Sequence, residues 1–151
     1  MSRDLVSYID QTYHTLRSPA SRAIGGLSMG GWGALHHAFS HPEIFGVVGA
    51  HSPSLRPDDG SLDFLGRGTE FARKDPMQLA RIRDGLQRLH IWVDTAQGDP
   101  WRDRAEELHR ILSARGIDHT WQVYPGVHDW YYWHEHTVDY LRFYGNSLAR
   151  Q

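Results

Sequence analysis

The sequence predicts a three-layer α/β/α sandwich, with helices on both faces of a mainly parallel sheet of about four strands. Three observations predict it. Short apolar runs alternate with segments of helical periodicity, the order that parallel β-α-β units require. The first run passes through Gly26-Leu27-Ser28-Met29-Gly30 straight into a helical pattern. Polar residues able to act together, Ser28, Asp99 and His128, each follow the end of a predicted strand and so can meet on the carboxyl rim of one sheet.

The elements are justified in order. Ser2 can cap a helix whose apolar positions Leu5, Ile9, Tyr13 and Leu16 recur at helical spacing, with Asp4 favouring its positive end and Pro19 stopping it. Residues 22–27 form a first strand, 29–40 a helix that ends before Pro42, and 45–50 a second apolar strand. From His51 to Lys74 the prolines and glycines, among them Asp58-Asp59-Gly60, break up regular structure and predict a long loop over the rim. A short helix from about Pro76 to Gly85 precedes a third strand, 88–94, built on Leu89, Ile91 and Val93. Residues 101–115 return as a helix closed by Gly116. A fourth strand covers 118–124, and Pro125-Gly126-Val127-His128 is a tight connection. An aromatic-rich helix runs from Asp129 to about Leu148.

With 151 residues and ordinary apolar and charged fractions, residues 1–151 suit one domain; no repeat, low-complexity tract or linker marks a second. A formal net charge of -2 and scattered arginines argue against a nucleic-acid partner. There is no cysteine, hence no disulfide or thiolate metal site. The first residues lack the apolar stretch of a secretory signal, and no apolar run is long enough for a membrane span. A cytoplasmic location is expected of the chain as written; secretion is compatible with a longer N-terminus.

A serine on a sharp strand-to-helix turn is held in a strained backbone conformation. The residues two before and two after it, here Gly26 and Gly30, are expected to be nearly side-chain-free. Nucleophilic hydrolysis needs a hydroxyl, an imidazole that takes its proton and a carboxylate that orients the imidazole. Ser28, His128 and Asp99 are the candidates, with Asp94 as rival acid or as a brace for its loop. The bland alternative for Ser28 is a glycine-rich turn. His51 ends the second strand on the same rim and, with Ser52, is expected to line the pocket. Trp101 and Trp130 are candidate aromatic walls, whereas Trp133 is assigned to packing of the last helix. Eleven histidines invite a metal reading, but neither His37 with His41 nor His134 and His136 near His128 forms a recognised ligand signature. Neither a metal nor an organic cofactor is expected.

The segments Gly26-Leu27-Ser28-Met29-Gly30-Gly31, Val93-Asp94-Thr95-Ala96-Gln97-Gly98-Asp99 and Tyr124-Pro125-Gly126-Val127-His128-Asp129-Trp130, with Trp133, resemble the esterase D-like, or putative-esterase, family of the α/β-hydrolase superfamily. The resemblance covers essentially the whole chain. It implies a nucleophile at Ser28, the orienting acid at Asp99 (in the loop beyond the strand), the general base at His128 and one oxyanion donor from the Met29 amide. A serine carboxylic ester hydrolase follows, acting through an acyl-enzyme on small or short-acyl esters. Other members of the family hydrolyse feruloyl, acetyl-xylan, S-formylglutathione or siderophore esters, and some transfer acyl groups.

Family members have about twice this length, and the chain resembles their C-terminal half, a truncated or minimal form of the fold. The resemblance implies that the strands before the nucleophile strand, and the loop donating the second oxyanion amide, are missing. A partner subunit, the His51 to Arg56 segment or a water is then required as second donor. The nucleophile strand would have a bare edge, which predicts a homodimer or other self-association through it, or a covering helix. The alternative function is a catalytically silent or split half that binds a ligand or needs a complementary partner. A third, a histidine-metal hydrolase, predicts inhibition by chelators.

Overall fold

The computed structural model describes residues 2–148. Strands β1 (Ala23–Leu27), β2 (Val47–His51), β3 (His90–Gly98) and β4 (Thr120–Val127) lie side by side in chain order, and each neighbouring pair is parallel. The helices are α1 (Ser2–Thr12), α2 (Met29–Ser40), α3 (Thr69–Lys74), α4 (Pro76–Ile82), α5 (Arg102–Ala114) and α6 (Trp130–Ser147). Parallel neighbours need crossovers, and crossovers of one hand between consecutive strands deliver their helices to one face. Accordingly α2 packs on β1 and β2, α5 on β3 and α4 between α2 and α5, while α6, which follows the last strand, packs on β2 and β3. The result is the predicted α/β sandwich.

Side-chain alternation divides the sheet. Ile24, Val48, Ala50, Ile91 and Val93 face the main core with Leu35, Phe39, Leu108 and Leu112. On the other face, paired Gly25 and Gly49 leave room for Tyr144 of α6, and Trp92 packs against Tyr140 and Phe143. A methyl group at either glycine would overlap the Tyr144 ring.

Several boundaries differ from expectation. The helix predicted through Leu16 stops at Thr12, where the Thr12 hydroxyl bonds the Tyr8 carbonyl and Thr15 bonds Asp10; Tyr13 and Leu16 are exposed. The expected Ser2 cap lies outside the described side chains. The long loop after β2 contains α3, whose Phe71 is buried. The β3 strand runs four residues beyond Asp94, placing that residue in the middle of the strand rather than at its end. The β4 strand continues through Pro125 and Gly126 to pair Val127 with Gly98 beyond a register irregularity. An edge strand tolerates proline because one side of its backbone needs no ladder partner.

The opposite edge, β1, pairs on one side only, and its five residues include neither charge nor proline. Such residues commonly blunt an edge. A cavity of about 450 Å³ lies between β1 and α6, lined by Gly25, Leu27, His51, Trp130, Tyr140 and Leu141 among others. A second, about 500 Å³, lies at the start of β1 beneath Leu5, Ile9 and Leu16 of the N-terminal segment.

The glycine floor generates a contrast. Gly49→Ala, which drives a methyl into Tyr144, should lower unfolding free energy by roughly 1–3 kcal/mol. Gly33→Ala in α2, where the added methyl meets open space, should raise it by up to about 1 kcal/mol. Chemical denaturation of both variants checks the pair.

Candidate active site

The turn between β1 and α2 holds Ser28 at φ 52° and ψ -117°, a region that L side chains rarely adopt. Two bonds lock it: the Ser28 N–H donates to the His51 carbonyl at 3.1 Å, and the Ser28 carbonyl accepts from Ser54 N–H at 3.0 Å. The glycines around it are not equivalent. A side chain on Gly26 would collide with the Gly30 backbone, but one on Gly30 would meet nothing among the described residues. The close approach of the turn to the strand therefore requires Gly26, and no described neighbour requires Gly30 to be glycine.

Ser28, His128 and Asp99 converge as expected. His128 Nε2 is 2.8 Å from Ser28 Oγ, and His128 Nδ1 is 2.7 Å from Asp99 Oδ2. Donation of Nδ1–H to the carboxylate leaves Nε2 as acceptor for the serine proton, the tautomer that base catalysis needs. The Asp99 side chain is almost fully buried, and its other oxygen accepts the Trp101 N–H at 2.7 Å. Met29 occupies the first position of α2, where a backbone N–H has no acceptor within the helix and the helix dipole is positive.

Ser52 is not on the pocket wall. It is fully buried, sits at φ 51°, and its hydroxyl donates to Asp99 Oδ2, the oxygen that also receives His128. Its Oγ is 3.3 Å from His128 Nδ1. Sequence reasoning missed this support for the acid because nothing local distinguishes Ser52 from any serine after a strand.

His51 does border the cavity beside β1, but its ring is engaged: Nδ1 lies 2.6 Å from Asp94 Oδ2 and Nε2 lies 2.9 Å from the Tyr144 hydroxyl. The Tyr132 and Tyr140 hydroxyls donate to Asp94 Oδ1 at 2.7 and 3.2 Å. Asp94, the rival acid, is thus the centre of a buried network under α6, and no bond joins it to His128. The spacing of Tyr132, Tyr140 and Tyr144 on one helical face was the available signal for this network. Burial and the Asp94 charge push the Tyr132 and Tyr140 phenols well up, and the Tyr144 phenol is pushed up to about 12 by the same two causes.

Trp101 and Trp133 both meet the His128 imidazole edge to face, with ring centroids 4.8 and 4.9 Å away. Trp133 also donates to the His51 carbonyl at 3.2 Å. Trp133, expected only to pack the helix, therefore helps to hold the imidazole. Trp130 is 67% exposed and borders the cavity beside β1. Among the described residues no group of three or more histidine and acidic side chains could hold a metal ion. His37 and His41 sit on α2 and at its end, and His136 stacks on Tyr124.

The segment after β2 was one candidate for the second oxyanion amide. Its N–H groups are already engaged: Ser52 with Asp94 O, Ser54 with Ser28 O, Leu55 with Pro53 O and Arg56 with Ser54 O, while Pro53 has none. The Ser52, Ser54, Leu55 and Arg56 amides thus have acceptors of their own in this arrangement.

A strand-turn-helix serine facing a histidine-carboxylate pair across a parallel sheet defines an α/β-hydrolase type of site. The family model described as Putative esterase matches residues 1–144, and the chain belongs to that family. It is 30% identical over 118 residues to the iron(III) salmochelin esterase of Escherichia coli O6:H1, covering 77% of this chain and 28% of that protein. Among solved structures, a ferulic acid esterase superposes with a TM-score of 0.80 at 25% identity, over 97% of this chain and 59% of that one. The S-formylglutathione hydrolase of Agrobacterium tumefaciens gives a TM-score of 0.78 at 23% identity, over 97% and 55%. The chain thus spans little more than half the length of these structural relatives.

The phenol network predicts alkaline behaviour. An unfolded tyrosine ionises near 10.0, whereas native Tyr144 keeps its proton to about 12. Across that window the native state binds more protons than the unfolded state, so stability is fully present below the window and falls as pH rises through it. Phenolate absorbance at about pH 11 should show Tyr132, Tyr140 and Tyr144 silent in the native protein and titrating once it unfolds.

Proposed function

We propose that the chain carries the nucleophile, base and acid of a serine carboxylic ester hydrolase. The observation that supports this reading is the continuous hydrogen-bond path from Ser28 Oγ through His128 to Asp99. Ser28 Oγ attacks the ester carbonyl while His128 Nε2 takes its proton, and Asp99 stabilises the imidazolium. The Met29 N–H faces the developing oxyanion. Collapse breaks the bond to the alcohol, which leaves with the proton from His128, and water activated by the same imidazole then releases the acid from the acyl-enzyme. Ser52 acts on this path through Asp99, whose carboxylate it anchors.

Relatives named for ferulic acid, iron(III) salmochelin and S-formylglutathione support carboxylic esters as the substrate class. The open rim favours small or short-acyl esters.

A second reading is favoured by the uncovered edge of β1 and by the engaged amides of residues 52–56. Here the chain is a half site: a complementary segment or a second copy pairs with β1 and provides the missing oxyanion donor. Loss of one such donor costs about 10²–10³ in rate, so the chain alone would be a weak catalyst. Nucleic acid, membrane and cofactor have no place in either reading.

Fluorophosphonate treatment followed by mass spectrometry should find the adduct on Ser28 alone, and Ser28→Ala should abolish it. A folded, unlabelled sample would transfer support to the half-site reading. In an acyl-length series of activated esters, kcat/KM should fall as the acyl chain lengthens; a long-chain optimum contradicts the open site. Sedimentation velocity should give a mass above that of one chain if β1 pairs with a second copy, and a monomer counts against that partner.

A further inference from the structure

We propose that Arg56 is an anchor for a carboxylate carried by the substrate, which makes the favoured esters anionic ones. This rests on the esterase reading above.

The backbone of Arg56 is rigidly placed. The Ser54 amide ties the segment to Ser28, and Arg104 clamps it from α5, donating to the carbonyls of Leu55 at 2.9 Å and Arg56 at 3.3 Å. The Arg56 guanidinium stands 5.0 Å from the centre of the Trp101 ring, and that ring meets His128 at 4.8 Å. One indole therefore separates a fixed cation from the imidazole facing Ser28.

Among the described residues no carboxylate lies within ion-pair distance of Arg56. The acids nearby have other partners. Asp75 caps α4 and, with Glu107, faces Arg104, while Asp58 and Asp59 accept from the Gly68 and Ser61 amides. Two bonds with Ser61 and, after them, the Arg56 charge lower the pKa of the Asp59 carboxyl. The Arg56 Nε is buried without an acceptor. A half-buried guanidinium over an aromatic face, with no carboxylate of the described residues in ion-pair reach, is the arrangement that receives a planar carboxylate well.

A substrate that spans the indole, such as a monoester of a medium-chain dicarboxylic acid or an ester of a carboxylated phenol, would present its carbonyl to Ser28 and its carboxylate to Arg56. Purely as a brace for Trp101, Arg56 would treat charged and neutral esters alike.

The test uses two matched pairs, each an anionic ester and a neutral isostere. 4-Nitrophenyl hydrogen adipate with its methyl ester puts the charge on the acyl arm. 4-Acetoxybenzoate with its methyl ester puts it on the alcohol arm. In the unmodified chain, kcat/KM should favour the anionic member of at least one pair about tenfold, less so as salt is raised. Arg56→Gln should bring that ratio to about one, and Arg56→Lys should retain part of it. Equal ratios in the unmodified chain and Arg56→Gln overturn the proposal, as does a ratio that salt leaves unmoved. Calorimetric binding of the same esters to Ser28→Ala, with and without Arg56→Gln, reads the anchor independently of turnover. Charge-selective binding without turnover would leave the anchor standing while the esterase reading fails; turnover without charge selectivity would do the reverse.

Discussion

The Asp94 carboxylate, fully buried in the middle of β3, is the group on which the geometry of the site depends. It accepts from His51 of β2 and from Tyr132 and Tyr140 of α6, so one side chain ties β2 and β3 to the helix that packs on them. A buried carboxylate is tolerable only while its donors are in place, which makes the arrangement close to all-or-none. The glycines at 25 and 49 belong to the same constraint. They let Tyr144 reach His51, and the carbonyl of His51 in turn fixes both Ser28 N–H and the Trp133 indole.

From this base the rim is assembled by two serines in left-handed backbone conformations. Ser28 and Ser52 are the described non-glycine residues with positive φ, and they end adjacent strands. Each costs of order 1–3 kcal/mol, tolerated because neighbouring chain ends lock it. The Ser52 N–H bonds the Asp94 carbonyl, the Ser54 N–H bonds the Ser28 carbonyl, and the Ser52 hydroxyl reaches Asp99. The acid in the loop after β3 is consequently held from β2, and the imidazole it orients is enclosed by Trp101 and Trp133.

The face beyond β1 has a different character. Its strand is apolar and paired on one side, cavities border it, and the solved relatives extend well beyond the matched region. The Asp99 and His128 side of the rim is braced by Ser52, Trp101 and Trp133, whereas β1, which leads to Ser28, pairs with β2 alone among the described strands. This asymmetry separates two requirements of an acyl-transfer site, oxyanion donors fixed beforehand and a serine-histidine-carboxylate hydrogen-bond path; the described residues form the second.

The sequence by itself determined the layer order, the four strands and the three residues that meet at the rim. Those features follow from local rules: strand and helix periodicity, a glycine two residues before a turn serine, and the fact that parallel strands present their ends together. It also contained the family motifs around Ser28, Asp99 and His128. Only the tertiary structure decided that Asp94 lies in mid-strand as a structural carboxylate, that Ser52 supports Asp99 rather than lining the pocket, and that the amides of residues 52–56 are engaged. The first two depend on atoms that meet across 40 or more residues of chain, in the His51–Asp94 and Ser52–Asp99 contacts, and the third on bonds from this segment to Asp94 and Ser28 as well as within it. Residue type and spacing carry the propensity of a segment, but a hydrogen-bond partner brought from a distant segment is chosen by packing, which has no local signature.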